Sequence, residues 1–364
     1  MSEVMKTPLH DEHVAAGAKM VEFAGWRMPV RYNSEMEEHR AVRTAAGLFD
    51  VSHMGECSLH GPGALDLIQS LTPNNAKRLK IGQAHYSALL TEDATYIDDL
   101  LVYRLAEDDF MLVVNASNIE GDFAWIEKHA GDYDCELTDR SAETALLALQ
   151  GPKAAAILGR LCDADLDELR YYFFLQDQDV GGTSCLLSRT GYTGEEGFEL
   201  YVSPHDAAAL WRRLLEAGQV DGLIPAGLAA RDSLRLEAGM ALYGHEIDRT
   251  TTPYEAGLGW TVKLKKGEFI GRDVLAKQKG AGVERQLVGF EITGRGIARA
   301  EHRVFSGDEP VGEVRSGSWA PTLEKAIGTA YVPKALAEPG TELEIEVRKR
   351  RLPAQVVAMP FYKR

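Results

Sequence analysis

The chain has 364 residues, 45% hydrophobic and 26% charged, and its 55 Asp and Glu against 40 Lys and Arg give a net charge of −15. That length supports two or three packed cores, and the composition excludes a disordered or low-complexity chain. The negative field argues against nucleic acid or an anionic membrane as the main partner.

At the N-terminus "MSEVMKTPLHDEH" has neither a basic nor an apolar leader region, and no stretch reaches the ~18 apolar residues of a membrane span, so a cytoplasmic protein is expected. The spacing of "SEMEEHRAVRTAAGLFDVS" predicts a helix from about Ser34 to a cap at Gly47. "HMGECSLHG" predicts a strand, and "GPGALDLIQSLT" a short helix. Residues 84–117 predict a meander of three antiparallel strands, because β-branched and aromatic runs alternate with acidic turns. "NIEGDFAWIEKHAG" returns to helix, ended by Gly131. A second mixed unit, about 142–244, echoes the element sizes of the first without a residue-level repeat. From about Arg285 short strands separated by Gly and Pro predict a small closed β-barrel, with "KLKKGEFIGRDVLAKQKGAGVE" as the hinge before it. Cys57, Cys135, Cys162 and Cys185 lie far apart beside apolar residues, so buried reduced thiols are expected, with no metal site.

Three stretches can carry chemistry. In "TYIDDLLVYRL" neighbouring side chains point to opposite faces, so Asp98 and Asp99 part company. Asp99 on the inward face with Leu101 and Tyr103 is one reading; both aspartates finishing the acidic turn is the other. In "SRTGYTGEEGFELYV" three glycines make a tight loop before a strand that sends Phe198, Leu200 and Val202 one way and Glu199 and Tyr201 the other. A carboxylate at Glu199 suits a planar ligand edge bearing an amino group beside a ring N–H; the alternative is the wet face of a half-buried strand. In "PAGLAARDSLRLEAG" Arg231 and Arg235 stand at i,i+4, where like charges repel, which suggests that one leaves the surface to bind an anion. "RKRR" at 348–351 reads as a hairpin turn. His53 and His245 are solitary and read as core or loop residues. There is no nucleophile elbow, H-E-x-x-H or dinucleotide fingerprint.

Taken together, "TPLHDEHVAAGAKMVEFAGWRMPVRY", "GLFDVSHMGE", "YIDDLLVY", "VVNASNIEGDFAWI", "RTGYTGEEGFEL", "PAGLAARDSLRLEAGMALYGHEID", "PYEAGLGWTVK" and the closing "MPFYK" resemble the aminomethyltransferase, or T-protein, family of the glycine cleavage system over essentially the whole chain. The resemblance implies a multi-domain α+β fold of antiparallel sheets and helices with a C-terminal β-barrel. Residues 1–275 would form the folate-binding region, two mixed subdomains with the strand meander at about 51–140, and residues 284–364 the barrel. It implies transfer of the methylene carbon from the aminomethylated lipoyl arm of the H-protein to tetrahydrofolate, with release of ammonia. Competing functions on the same fold are a folate-dependent demethylase of a small methylated compound and a non-catalytic folate-binding assembly factor. By residue, the resemblance implies Asp99 as the catalytic carboxylate and Glu199 and Arg231 as folate contacts, with Tyr86, Tyr103, Asn115, Tyr192 and Met54 lining the pocket. Thr95-Tyr96 stands where the family usually has Gly-Gly, so the turn before Asp99 must be built differently. His302 also departs from a common aromatic.

Overall fold

In the computed structural model, residues 4–364 are described, and the chain divides into two compact units. The first holds residues up to Gln69, Ala76–Ser87 and Leu100–Asp232; the second holds Ser70–Asn75, Ala88–Asp99 and Ser233–Arg364.

The first unit is built on a six-stranded sheet in the order Phe174–Asp179, Ser184–Ser188, Gly197–Val202, Ala145–Gln150, Ala46–Asp50, Leu223–Pro225. All pairings are antiparallel except the last, where Leu223–Pro225 runs parallel to the strand Ala46–Asp50. Helix Pro204–Gly218 covers one face, because Ala207, Leu210, Trp211 and Leu214 fall at helical spacing and are buried against Leu147, Leu149, Phe198 and Leu200. Its start has Ser203 accepting from the His205 N–H, with Pro204 in the first turn.

The predicted helix near Ser34 spans Glu35–Thr44, but Gly47 does not cap it. Gly47 lies inside the strand Ala46–Asp50, where a Cβ would come within 2.5 Å of Val42 Cγ2, so its lack of a side chain lets that helix approach the sheet. The meander is present as Gln83–Leu90, Tyr96–Ala106 and Asp109–Val114, in a five-stranded sheet completed by Gly55–His60 and Glu136–Asp139. Its first two strands and helix Leu228–Glu237 pass from one unit into the other. Among the cysteines, all free, Cys57 and Cys185 are buried, whereas Cys135 and Cys162 keep partial exposure.

In the second unit six strands close a barrel in the order Arg285–Ile292, Lys325–Pro333, Glu309–Ala320, Arg303–Ser306, Glu342–Val347, Arg350–Val357, the last pairing back to the first. Phe290, Val304, Ala330, Ile345 and Val356 fill it. The "RKRR" stretch is the expected hairpin: Val347 pairs with Arg350 across Arg348 and Lys349, and Arg348 adopts a left-handed backbone at φ 59°. The stretch read as a hinge instead folds as helix Arg272–Ala281, with Leu275 fully buried among Leu90, Ala94, Tyr96 and Phe269.

The turn that replaces Gly-Gly is held by side chains. Thr91 and Thr95 hydroxyls lie 2.8 Å apart, Thr95 N–H donates to Thr91 Oγ1 at 3.2 Å, and Ala94 takes the left-handed conformation at φ 61°. Tyr96 then enters the core, fully buried, with its N–H donating to Thr251 O at 3.1 Å.

Arg235 does leave the surface, but toward an internal partner. It donates to Glu246 Oε2 at 2.7 Å and to Ser316 Oγ at 2.9 Å, and both members of the ion pair are fully buried. Burial by itself raises the Glu246 pKa; the Arg235 charge, the Ser316 and Thr329 hydroxyls and the Leu242 N–H outweigh it and hold the carboxyl below its usual range. Because the folded carboxyl titrates below the unfolded value of 4.5, the stability it brings is present above that pH and lost as pH falls through the folded value. Arg235→Ala strands a buried carboxylate and is expected to cost ~3–5 kcal/mol in urea unfolding near neutral pH, with a smaller loss in acid. A variant as stable as the parent at neutral pH contradicts this account.

Candidate active site

Glu199 sits mid-strand in Gly197–Val202, opposite Ser188 on one side and Ala148 on the other. Phe198, Leu200 and Val202 enter the core as the alternation requires, yet the second face is not wet: Tyr201 is buried and Glu199 half-buried. A chain of hydroxyls ends on the carboxylate. Tyr201 OH donates to Tyr103 OH at 3.1 Å; Tyr103 OH lies 3.1 Å from Ser188 Oγ; Ser188 and Thr190 hydroxyls are 2.9 Å apart; Thr190 donates to Glu199 Oε2. A carboxylate only accepts, so the Thr190 hydroxyl that donates to Glu199 can donate to Ser188 only in its place, and Tyr103 OH, 3.3 Å from Thr190 Oγ1, also reaches the threonine directly. Burial raises the Glu199 pKa above its ordinary value, opposed by the Thr190 hydrogen bond and the Arg231 charge. Burial and the Glu199 charge together push the Tyr103 phenol up, which keeps it a neutral donor.

The glycine loop preceding this strand is braced by Gln150, which is fully buried. Its Nε2 donates to Thr190 O at 3.1 Å, and its Oε1 accepts from Thr193 Oγ1 at 2.9 Å. A Cβ at Gly191 would stand 2.1 Å from Gln150 Oε1, and one at Gly197 2.4 Å from Nε2, so these glycines admit the amide. Arg43 fixes the far side of the loop by donating to Thr193 O at 2.6 Å and Glu195 Oε1 at 3.1 Å.

Arg231 lies in helix Leu228–Glu237. The entry to that helix is set by Glu38, fully buried, whose Oε2 accepts from Gly227 N at 2.9 Å while Oε1 accepts from Tyr32 N at 2.8 Å and Asn33 N at 3.1 Å. Gly227 passes close under Val30, where a Cβ would be 2.5 Å from the carbonyl oxygen. The guanidinium of Arg231 stacks 4.4 Å above the Tyr192 ring, a cation–π contact. Its charge also reaches His53, in the turn after strand Ala46–Asp50. Burial first, and then the Arg231 charge, push the His53 imidazole down to about 4, with Asp50 acting the other way. Asp50 shapes that turn: its Oδ1 accepts from Ser52 N at 2.9 Å, and its Oδ2 meets Thr7 Oγ1 at 2.6 Å and His13 Nε2 at 2.8 Å.

The first unit therefore links Glu199, Tyr103, Arg231 and Tyr192 through hydrogen bonds, a ring stack and electrostatics. Met54, Tyr86 and Asn115 are half-buried in the same unit: Met54 beside His53, Tyr86 on strand Gln83–Leu90, Asn115 just after strand Asp109–Val114. Asp99 belongs to the second unit, where it is half-buried and its charge adds to burial in raising the Tyr96 phenol pKa. Its neighbour Asp98 is the more deeply enclosed of the pair, fully buried, so the inward face expected for Asp99 is the less covered of the two. Sequence reasoning missed Ser188, Thr190 and Gln150 and gave Tyr201 no role; the one available sign was that Tyr201, two residues beyond Glu199, shares its face.

Two regions match known families along their length. Residues 9–266 match the GCVT N-terminal domain and residues 285–363 the glycine cleavage T-protein C-terminal barrel domain. The chain belongs to the glycine cleavage T-protein family. Among T-protein relatives, the aminomethyltransferase of Symbiobacterium thermophilum is 54% identical, with 100% of this chain and 99% of that protein covered, and the aminomethyltransferase of Moorella thermoacetica is 52% identical with the same coverage. The crystal structure of glycine cleavage system aminomethyltransferase T from Bartonella henselae superposes with a TM-score of 0.92 at 39% identity, over 99% of this chain and 98% of that one. The α+β fold with its closed barrel is thus the T-protein fold.

The brace on the glycine loop can be tested by a cycle. Gly191→Ala forces a side chain onto Gln150 and is expected to destabilise by ~1–3 kcal/mol, while Gly191→Ala combined with Gln150→Ala recovers part of that loss. Strictly additive losses in urea unfolding would rule out direct contact.

Proposed function

We infer that this chain works as the tetrahydrofolate-dependent aminomethyltransferase of the glycine cleavage system. It takes the methylene carbon from the aminomethylated dihydrolipoyl arm of the H-protein and gives 5,10-methylenetetrahydrofolate. Two C–N bonds to the folate form while the C–S bond and the bond to the departing amine break; the two folate N–H protons leave on the thiol and on ammonia. Membership of the T-protein family supports the reaction. The observation that carries the folate reading is the half-buried Glu199 carboxylate at the end of the hydroxyl chain.

Thr190 uses one of the roughly four acceptor positions of that carboxylate, and the pterin amino group with its adjacent ring N–H is the donor edge that suits others. Arg231, held over Tyr192, faces an anionic or carbonyl oxygen of the folate. Tyr86, Asn115 and Met54 line the same pocket, and the fully buried Tyr103 backs it through the hydroxyl chain. Asp99 orients the attacking folate nitrogen and stabilises the cationic iminium character that develops as ammonia departs. Binding both reactants converts a bimolecular attack into a positioned encounter. Residues 1–275 make the folate-binding region and 284–364 the barrel domain. Four unbridged cysteines suit a reducing compartment, the cytoplasm.

The decisive assay is tetrahydrofolate-dependent ammonia release from aminomethylated H-protein. Asp99→Asn removes charge with little change of shape and is expected to keep folate affinity while slowing transfer by at least ~100-fold; near-parental turnover would mean that another group does this work. Glu199→Ala is expected to weaken tetrahydrofolate binding by roughly 10- to 100-fold in calorimetry. Because the Glu199 pKa is raised above 4.5, affinity in the parent is full at higher pH and falls as the carboxylate takes a proton. Glu199→Gln removes that acid limb; an unchanged pH profile contradicts the role.

A further inference from the structure

We propose that His53 is a ligand-binding residue of this site, donating its Nδ1–H to an oxygen of the bound folate that Arg231 also faces; this rests on the folate reading above. The imidazole is 2% exposed, and its Nδ1 is buried with no hydrogen-bond partner in the structure. Buried polar atoms are almost always satisfied, so an exception asks for a missing partner. Its near neighbours are engaged elsewhere. Asp50 takes the Ser52 N–H, Met54 N–H donates to Val51 O at 3.1 Å, and Phe23 presents its ring to His53 at 5.7 Å in an edge-to-face contact.

The neighbourhood selects the kind of partner. Burial, and then the Arg231 charge, disfavour a proton on the ring, so His53 stays neutral and contributes one N–H rather than a charge. A ligand N–H pointed at this place would face the positive charge of the Arg231 guanidinium, whereas that charge favours a carbonyl or carboxylate oxygen. The amide and carboxylate oxygens of a folate are of that class. His53 immediately precedes Met54, already assigned to the pocket wall, and its turn is fixed by the Asp50 network, so the ring is pre-set before ligand arrives.

The test uses the full chain. Imidazole nitrogen NMR of the wild type is followed during titration with tetrahydrofolate, and calorimetric affinities are compared for His53→Asn and His53→Phe. An asparagine amide nitrogen sits near the position of Nδ1, whereas phenylalanine keeps the ring shape and lacks the nitrogen. The expected result is a shift of the His53 Nδ1 resonance on saturation, ~10-fold or greater weakening in His53→Phe, and affinity within ~3-fold of wild type in His53→Asn. Wild type that binds tetrahydrofolate with the Nδ1 resonance unmoved overturns the proposal, as does a folded His53→Phe that binds like wild type. If His53→Phe does not fold, the resonance decides. Wild type that binds no tetrahydrofolate overturns the folate reading itself, and this inference with it.

Discussion

An ionised carboxylate removed from water costs several kcal/mol unless donors meet it, and the organisation of this protein follows from how that demand is answered. Glu38 answers it with three backbone N–H groups, and in doing so ties the turn at Tyr32 and Asn33 to the entry of helix Leu228–Glu237. Asp50 answers it with Thr7, His13 and Ser52, which fastens the N-terminal segment to the strand Ala46–Asp50 and shapes the turn that carries His53. Glu246 answers it with Arg235 and two hydroxyls inside the second unit. Glu199 is satisfied only in part by protein, through Thr190, and keeps some exposure. Glu38, Asp50 and Glu246 are enclosed and met by donors; the acid assigned to ligand recognition is left accessible.

The same logic separates two arginines one helical turn apart. Sequence spacing said that Arg231 and Arg235 repel and that one should turn inward. Both found partners of different kinds: Arg235 a buried carboxylate, Arg231 the face of Tyr192. An arginine stacked on an aromatic ring is held through its face, whereas one enclosed with Glu246, Ser316 and the Met240 carbonyl has its in-plane donors committed to internal oxygens. In a chain of net charge −15, such a locally placed cation is what an anionic ligand requires.

Much of the fold was legible because it follows from local periodicity: the meander, helix Glu35–Thr44, the barrel strands and the hairpin at Arg348 and Lys349 all obey their side-chain pattern. What was not legible depended on approach between distant segments. Gly47 looks like a helix cap in sequence, and only the closeness of Val42 explains it. Glu199 looked equally able to face water, since alternation says which residues share a face and not what covers that face. Gln150 carries no motif, yet it holds the glycine loop from 40 residues away. Asp98 and Asp99 were correctly separated onto two faces, but their relative enclosure came from packing, and the deeper position went to Asp98. His53 was read as a core or loop histidine; nothing in its sequence neighbours shows that its ring nitrogen would lack a partner.

The run of side-chain hydroxyls behind Glu199 has a directional character set from one end. While the acid is ionised, the Thr190 hydrogen is turned to it, and Tyr201 donates to Tyr103, which reaches Ser188 and Thr190 alike. Should the acid gain a proton and turn it toward Thr190, that threonine becomes the acceptor and its own hydrogen swings to Ser188 Oγ, 2.9 Å away, whose second lone pair leaves room for Tyr103. A single titration event at Glu199 thereby reaches the neighbouring strand through one hydroxyl rotation, with no heavy atom displaced.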